Sequence, residues 1–361
     1  MVEINQVINA AGKLTALGGS AQSEAVAAEQ ARWARRHVDL AELRRTAGRR
    51  LALWCGADAG CVTSGAAAGV AISVAAIVAG TNRYRIQQLP ASDTPHRVAL
   101  QAGHAVNYGA TVEQLIRLGG ATPFVIGSVN SVTEGLLADA LDTERVSAFL
   151  YVKSHHTQQE NMVSLESVVR ICHARRIPVI VDAAAEEDLE RFIDADADLV
   201  TYSGGKAFGG PTSGFIVGRK ALIEACEAQF QGIARTMKVG KEQITALLVA
   251  MEAYTSADPA ERARLLGARN ERLINRCGEQ KLLELSLKPD EAGRPFERVA
   301  VRLRRGDIRK LVQFLVDGNP SIRTRNHHLD KGELLIDPRE IQDEDVDTIA
   351  DRLNEFARTH S

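Results

Sequence analysis

The sequence predicts an α/β protein whose mostly parallel sheet carries helices on both faces, followed by a smaller α+β domain. Two observations predict the sheet. Its strand-like runs are continuous Val, Ile and Leu stretches, as in sheets buried on both faces, and they alternate with helical segments. A change after about residue 280 to short strands and amphipathic helices predicts the second domain. We expect an arm at residues 1–22, a large domain at 23–260 and a small domain at 261–361.

Local signals place the elements in order. Glycine and serine near the start predict an irregular arm, and Ser23 is placed to cap one long helix through about Arg50. Apolar runs bounded by turn residues predict strands, and apolar residues at helical spacing predict helices. Up to the small domain, the predicted strands are 60–63, 97–101, 122–126, 148–152, 179–182, 199–202 and 214–217, and the helices are 66–79, 111–118, 165–174, 241–254 and 259–277. The small domain is predicted to contain strands 282–287, 298–303 and 333–336 and helices 308–315 and 341–357.

Composition bounds the class of protein. Of 361 residues, 45% are hydrophobic and 25% charged, which is typical of a globular chain, and the net charge of −2 does not favour nucleic-acid binding. The five cysteines form no CxxC pair, which indicates reduced, buried thiols in a cytoplasmic protein. We expect no secretory signal, no membrane span and no metal site, and a small molecule as the partner.

One lysine stands in a glycine-rich turn after an apolar strand. Lys206 lies between Gly204-Gly205 and Gly209-Gly210, and Asp182 ends the strand before it. The two residues together suit a site for pyridoxal 5'-phosphate. The lysine amine would form a Schiff base with the aldehyde of this cofactor, and the aspartate would keep its pyridine nitrogen protonated. The alternatives are a solvated loop lysine and an aspartate that caps a helix at 183–191.

Three further segments follow strands of the same sheet. Ser64, Gly65 and Ala66 form a strand-to-helix turn whose backbone N–H groups suit a phosphate, although such turns are common in α/β proteins. His104 is placed to stack on the pyridine ring or to move a proton, although an isolated histidine is more often structural. His155 and His156 follow another strand and are expected near the substrate, without the spacing of a metal site.

Five segments together resemble the fold-type-I pyridoxal-phosphate enzymes, and within them the selenium-transferase-like branch. They are residues 7–20, 62–69, 178–185, 202–211 and 235–242. Within this branch the chain is most similar to the D-glucosaminate-6-phosphate ammonia-lyases. The resemblance implies an aminotransferase class V-like large domain with a sheet of about seven strands, a small C-terminal domain, and a homodimer or higher homo-oligomer with sites at subunit interfaces.

The resemblance also implies roles for individual residues. Lys206 would be the Schiff-base residue and Asp182 the pyridinium partner, and Ser203 would join Ser64 and Gly65 near the cofactor phosphate. Gly210 or Thr212 would reach the phosphate of a neighbouring subunit's cofactor. The resemblance leaves the substrate side weakly defined. The cluster of cations that contains Arg235 and Lys238 is expected to bind a carboxylate or phosphate of the substrate, with a solvated helix start as the alternative, and Thr15 and Ser20 are further expected substrate contacts.

The activity that this implies is α,β-elimination from a β-hydroxy amino acid, with D-glucosaminate 6-phosphate giving a 2-keto-3-deoxy sugar acid phosphate and ammonia. Gly205 stands where selenium transferases are expected to carry an acidic residue, and the chain lacks the N-terminal region expected to bind tRNA there. Selenium transfer to seryl-tRNA is therefore the less favoured reading. Selenium-transferase-like β-replacement, racemisation and aldol cleavage on the same cofactor remain alternatives.

Overall fold

The computed structural model describes residues 4–154, 156–290 and 294–360. Contacts divide the chain into two compact units: Gln22–Thr255, and Met1–Ala21 together with Ser256–Ser361. The sequence predicted other domain limits, namely 1–22, 23–260 and 261–361. These limits remain a proposal.

The larger unit is built around one sheet with helices on both faces. Its strands are β2 (Ala59–Thr63), β3 (Arg97–Gln101), β4 (Thr122–Ile126), β5 (Ala148–Val152), β6 (Val179–Asp182), β7 (Leu199–Ser203) and β8 (Gly214–Gly218). Its helices are α1 (Glu24–Ala34), α2 (Leu40–Trp54), α3 (Ala66–Ala79), α4 (Arg83–Gln88), α5 (Val112–Leu118), α6 (Glu134–Thr143), α7 (Leu165–His173), α8 (Arg191–Asp194), α9 (Lys220–Ala228) and α10 (Lys241–Ser256), the last extending one residue past the unit.

The seven strands of this sheet run in the order β2-β8-β7-β6-β5-β3-β4, and β8 alone is antiparallel to its neighbours. Separate apolar clusters cover the two faces. The predicted fold class is confirmed, because continuous apolar strands can be accommodated only where helices shield both faces from water.

The long helix predicted from Ser23 to about Arg50 is wrong in one respect. Ser23 does cap a helix, accepting a hydrogen bond from the N–H of Val26 at 3.4 Å, but α1 ends at Ala34. Asp39 then caps α2, with its carboxylate accepting from the N–H groups of Ala41 and Glu42 at 2.9 and 3.0 Å. Aspartate side chains bond to nearby backbone N–H groups, which disfavours aspartate inside a helix and favours it at the start of one. A new helix therefore begins after Asp39.

The smaller unit contains β1 (Val7–Ala10), α11 (Pro259–Cys277), β9 (Leu283–Pro289), β10 (Glu297–Leu303), α12 (Ile308–Val316), β11 (Ser321–Thr324), β12 (Glu333–Ile336) and α13 (Asp343–His360). Three of its strands form an antiparallel sheet in the order β12-β10-β9. The sequence predicted an irregular arm at the start, but residues 7–10 form a strand. This strand, β1, pairs in parallel with β11, with Val7 opposite Ser321. Ile8 and Ala10 thereby enter the core of this unit.

Three expectations from the sequence concern membrane spans, cysteines and metal sites. None of the helices within the described residues is long and apolar enough to cross a membrane. All five cysteines are buried and free of disulfides. Among the same residues, no group of His, Cys, Asp and Glu side chains is arranged to hold a metal ion.

Candidate active site

Most of the predicted site residues of the larger unit lie at one edge of its sheet. Parallel strands end at a common edge, and here Thr63, Gln101, Val152, Asp182 and Ser203 are the last residues of their strands. The antiparallel β8 begins at the same edge. In open α/β sheets this edge is where ligands bind.

The turn between β7 and β8 carries Lys206. Hydrogen bonds from the N–H of Gly204 to the carbonyl of Ser213 and from the N–H of Gly210 to the carbonyl of Gly204, both 2.8 Å, close the turn. A Cβ at Gly204 would lie 2.3 Å from Ser213 Oγ and 2.7 Å from Leu247 Cδ1, so the turn is too tight there for any other residue. The glycines therefore fix the backbone from which Lys206 extends.

Asp182 ends β6 and is almost completely buried, with 3% of its surface exposed. Its Oδ1 accepts a hydrogen bond from the N–H of Ala184 at 3.1 Å, and in the parallel pairing it lies opposite Thr201. The alternative helix at 183–191 does not form, since α8 spans only Arg191–Asp194. The carboxyl is thus not a helix cap.

Lys206 and Asp182 interact electrostatically. Burial raises the pKa of Asp182 to about 6, against the opposing effects of the Ala184 N–H group and the Lys206 charge. Burial also lowers the pKa of Lys206, and the attraction of Asp182 opposes that shift. Burial therefore favours the unprotonated Lys206 amine, whereas the Asp182 carboxyl needs a cationic partner to stay ionised.

Tyr108 is a site residue that the sequence analysis missed. It lies on the loop after β3, and its side chain and the Asp182 carboxyl influence each other's pKa. The available signal was its position in the same segment as His104, just before Gly109. Apolar patterning cannot reveal such an effect, because the loop conformation decides where the ring points.

His104 is fully buried beneath the same edge. Its ring packs edge-on against Tyr151, with centroids 4.5 Å apart, and its Nδ1 accepts a hydrogen bond from the N–H of Val152 at 3.2 Å. Burial, followed by the charge of Lys153, lowers the pKa of His104 to about 4. The ring is therefore neutral near pH 7, and its expected contacts with cofactor and proton remain predictions.

The N-terminus of α3 faces this edge without a side-chain cap. Its N-cap is Gly65, its first turn has no acidic residue, and the space where a Gly65 side chain would stand is open. The uncapped N–H groups and the helix dipole suit an anion at this point. Gly214 allows the helix to approach β8, since a Cβ there would lie 2.6 Å from the carbonyl carbon of Gly65.

We expect Gly214→Ala to disturb this end of α3. The added methyl group would also lie 2.7 Å from the Tyr202 carbonyl oxygen, so helix and strand must separate, at a cost of about 1–3 kcal/mol in unfolding free energy. Denaturant unfolding measures this loss. Gly267→Ala in α11 is the control: its methyl meets nothing within 4 Å, and alanine should stabilise the helix by about 0.5–1 kcal/mol. Equal unfolding midpoints for the two variants would contradict the close approach.

A cavity of about 370 Å³ opens beside the N-terminus of α3. Its lining is mostly polar and comprises Gln22, Gln30, Ser64, Pro211, Thr212, Lys238, Val239, Gly240 and Gln243. The structure thus brings Ser64, Thr212 and Lys238 together around one space, although they are distant in sequence. Lys238 is exposed and supplies a cation next to the helix terminus.

Other predicted site residues lie elsewhere. Arg235 is exposed on the 3-10 turn Ile233–Met237 and is not among the residues that line the cavity. Thr15 is exposed and Ser20 half-buried in the smaller unit. His155 lies outside the described residues.

The residues present fit pyridoxal phosphate. The buried Asp182 carboxyl calls for a cationic partner, as a protonated ring nitrogen would be, and Lys206 offers an amine of lowered basicity beside it. The uncapped N-terminus of α3, with open space at Gly65, suits the phosphate. An aldehyde, a basic ring nitrogen and a phosphate are the groups that this set of residues would hold.

Comparisons with known proteins agree with this chemistry. The family model described as L-seryl-tRNA selenium transferase matches residues 183–273. The chain is 40% identical over 359 residues to D-glucosaminate-6-phosphate ammonia lyase from Salmonella typhimurium, covering 98% of this chain and 96% of that protein. It is also 39% identical to a 5'-C-glycyluridine monooxygenase-decarboxylase from a Streptomyces species, covering 98% and 90%.

A solved structure of D-glucosaminate-6-phosphate ammonia-lyase superposes with a TM-score of 0.92 at 39% identity, over 99% of this chain and 96% of that one. Similarity of sequence and fold along the whole length, together with the paired lysine and aspartate at the sheet edge, establishes the relationship. The chain belongs to the selenium-transferase-like branch of the fold-type-I pyridoxal-phosphate enzymes, the branch that includes D-glucosaminate-6-phosphate ammonia lyase.

Proposed function

We propose that this protein is a pyridoxal-phosphate-dependent carbon–nitrogen lyase that releases ammonia from a β-hydroxy amino acid, with D-glucosaminate 6-phosphate as substrate. The observation that carries the proposal is the buried Asp182 carboxyl, on which the charge of the half-buried Lys206 acts, at the carboxyl edge of the sheet. The choice of substrate rests on the full-length similarity to D-glucosaminate-6-phosphate ammonia lyase.

The bound cofactor supplies an aldehyde that condenses with amines and a protonated ring that withdraws electrons from the α-carbon of the substrate. Lys206 would hold the aldehyde and Asp182 the ring nitrogen. The phosphate would be bound by Ser64, Gly65 and Ala66. We keep His104, Ser203, Gly210 and Thr212 as proposed cofactor contacts, the last two toward a neighbouring subunit in a cytoplasmic homodimer or larger homo-oligomer.

Lys206 would also act as the base. Burial lowers the pKa of its amine, so more of it is unprotonated near pH 7 and can accept the α-proton. The β-hydroxyl then leaves as water, and a second water replaces the nitrogen at the α-carbon as ammonia is released. The net products are ammonia and a 2-keto-3-deoxy sugar acid phosphate.

The cavity beside α3 is the proposed place for the distal phosphate of the substrate. Lys238 and the amides of Gln22 and Gln243 line it, and together they offer a cation and neutral donors. Arg235, Thr15 and Ser20 are the further proposed substrate contacts.

We expect Lys238→Ala to raise KM for D-glucosaminate 6-phosphate on the order of tenfold, because a charge-assisted hydrogen bond is lost. KM for unphosphorylated D-glucosaminate should not change, since that substrate has no group for Lys238 to bind. Lys241→Ala is the matched control, because Lys241 pairs with Glu242 at 3.5 Å and does not line the cavity. If Lys238→Ala changed KM equally for both substrates, the distal phosphate of the substrate would not bind at Lys238.

The decisive experiment combines purified protein, pyridoxal phosphate and D-glucosaminate 6-phosphate, and measures ammonia and 2-oxo acid together. Equal amounts of the two support the elimination. The 39% identity to a monooxygenase-decarboxylase makes oxidative decarboxylation the second candidate. Consumption of oxygen with release of carbon dioxide from 5'-C-glycyluridine, and no ammonia from the sugar acid, would favour that candidate instead.

A further inference from the structure

An aromatic cluster packs against the turn that carries Lys206. Phe208, in the same turn, is 4% exposed and lies edge-on to Tyr254 of α10, with ring centroids 5.0 Å apart and planes at 83°. Its ring also lies 5.9 Å from that of Tyr202 in β7 and 5.8 Å from that of Phe215 in β8. Contacts between aromatic rings at these distances are favourable beyond the apolar area that they bury. Phe208 therefore anchors the Lys206 turn to both flanking strands and to α10.

Tyr254 also holds the segment that follows Asp182. Residues 183–190 form neither helix nor strand, so bonds to their main-chain groups determine their path. The Tyr254 hydroxyl donates a hydrogen bond of 2.6 Å to the carbonyl of Glu187 in this segment. One side chain of α10 therefore contacts both parts of the site, since its ring meets the Lys206 turn and its hydroxyl meets the segment after Asp182.

The two ends of this segment are held by other groups. At its start, the N–H of Ala184 donates to the Asp182 carboxyl at 3.1 Å. Near its end, the Tyr202 hydroxyl donates to the carbonyl of Asp188 at 3.0 Å. The Tyr254 hydroxyl acts between these points, on the part of the segment that leads back to the donor of the Asp182 carboxyl.

We propose, on the basis of the function proposed above, that Tyr254 is a positioning residue: it holds the Lys206 turn and the segment after Asp182 in the relative arrangement that one cofactor molecule requires. The need for such a contact follows from the path of the chain. Lys206 extends from a turn, and the Ala184 N–H group belongs to the irregular segment, so the sheet alone fixes neither. Misplacement of reacting groups by about 1 Å can lower a rate on the order of 10²-fold.

The test compares Tyr254→Phe, which removes only the hydroxyl, with Tyr254→Leu, which also removes the ring. Hydrogen exchange of main-chain amides is measured by mass spectrometry on the full chain freed of cofactor. Tyr254→Phe should speed exchange in residues 183–190 about fivefold, because one neutral hydrogen bond is lost, and should leave residues 204–210 unchanged. Tyr254→Leu should speed exchange in both segments, so that the ring retained in Tyr254→Phe accounts for the protection of the Lys206 turn.

The affinity for pyridoxal phosphate tests whether this arrangement serves the cofactor. The dissociation constant, measured by the absorbance of the bound cofactor, should rise by up to about fivefold in Tyr254→Phe and further in Tyr254→Leu, because a smaller fraction of the protein is then ready to bind. Thr255→Val is the matched control. It removes the adjacent hydroxyl of the same helix, which bonds within α10 to the carbonyl of Met251 at 2.9 Å, and it should change neither affinity nor exchange in the two segments.

Unchanged exchange in residues 183–190 of Tyr254→Phe would overturn the inference, as would faster exchange without a loss of affinity. If denaturant unfolding shows that Tyr254→Leu is not folded, Tyr254→Phe and Thr255→Val still decide between these outcomes. The proposed function fails separately, if the wild-type chain binds no pyridoxal phosphate or releases no ammonia from the sugar acid. Exchange is measured without cofactor and then decides alone whether Tyr254 holds the segment.

Discussion

Replacing Lys206 with alanine is expected to abolish covalent attachment of pyridoxal phosphate and to lower kcat for ammonia release about 10²–10⁴-fold. The variant loses the amine whose charge acts on the buried Asp182 carboxyl. It also loses the base for the α-proton. Absorbance of the bound cofactor before and after borohydride reduction measures attachment, and release of ammonia under saturating substrate measures kcat.

Lys153→Ala is the sharpest control for this prediction. Lys153 is a second half-buried lysine at the same sheet edge, and its charge acts on His104. It should keep both the absorbance of the attached cofactor and its resistance to dialysis after reduction. Attachment that survives Lys206→Ala and disappears in Lys153→Ala would transfer the role to the other lysine.

The second large effect is expected in the smaller unit, where Arg298→Met should lower the unfolding free energy on the order of 3 kcal/mol. Arg298 is 1% exposed, with its Nη1 2.6 Å from Asp290 Oδ1 and its Nε 2.8 Å from Asp337 Oδ2. Methionine can fill much of the volume but leaves two buried carboxylates, each with one arginine fewer. Chemical denaturation at neutral pH measures the loss.

The matched control is Arg302→Met, four residues along the same strand. Arg302 is half exposed and pairs with Glu333, which Lys288 and His328 also contact. Its removal therefore leaves no carboxylate unpaired and should cost about 0–1 kcal/mol. If the two arginine variants lost the same unfolding free energy, the burial of Arg298 would add nothing to the stabilisation by its ion pairs.

Acid should reduce the difference between wild type and Arg298→Met. Burial alone would raise the pKa of Asp337, but Arg339 and Arg298 hold it at about 2. A carboxyl with a lowered pKa stabilises the folded state above the unfolded value of about 3.9, and the contribution disappears as pH falls through the folded value. Arg298→Met loses part of this contribution, so the two proteins should converge between about pH 4 and pH 2.

Much of the larger unit could be predicted from local sequence. The strands at 97–101, 122–126 and 148–152 and the helix at 66–79 were predicted to the residue, because each is a continuous apolar run ended by glycine or polar residues. The helix α6 was missed, since only Leu137 and Leu141 of its ten residues are buried and its apolar signal is weak.

Features that depend on distant pairing could not be predicted. The strand β1 has four residues and gains its partner β11 only in the folded chain. The residues of the site likewise divide into those whose proximity could be predicted and those whose proximity could not. Lys206 and Asp182 stand at strand ends that any parallel sheet brings to one edge, so their proximity followed from the sequence. The effect of Tyr108 on Asp182 depends on the path of a loop and could not be inferred.

The parallel pairing of β1 with β11 has a consequence for synthesis on the ribosome. The first strand emerges early, but the segment that it must join is translated only after the whole larger unit. Until then Ile8 and Ala10 have no apolar partner, and a nascent chain exposes them to chaperones or to neighbouring polypeptides. Folding of the smaller unit can therefore be completed only at the end of translation or after it, and a tag or deletion near residue 7 should impair this folding more than one in an external loop.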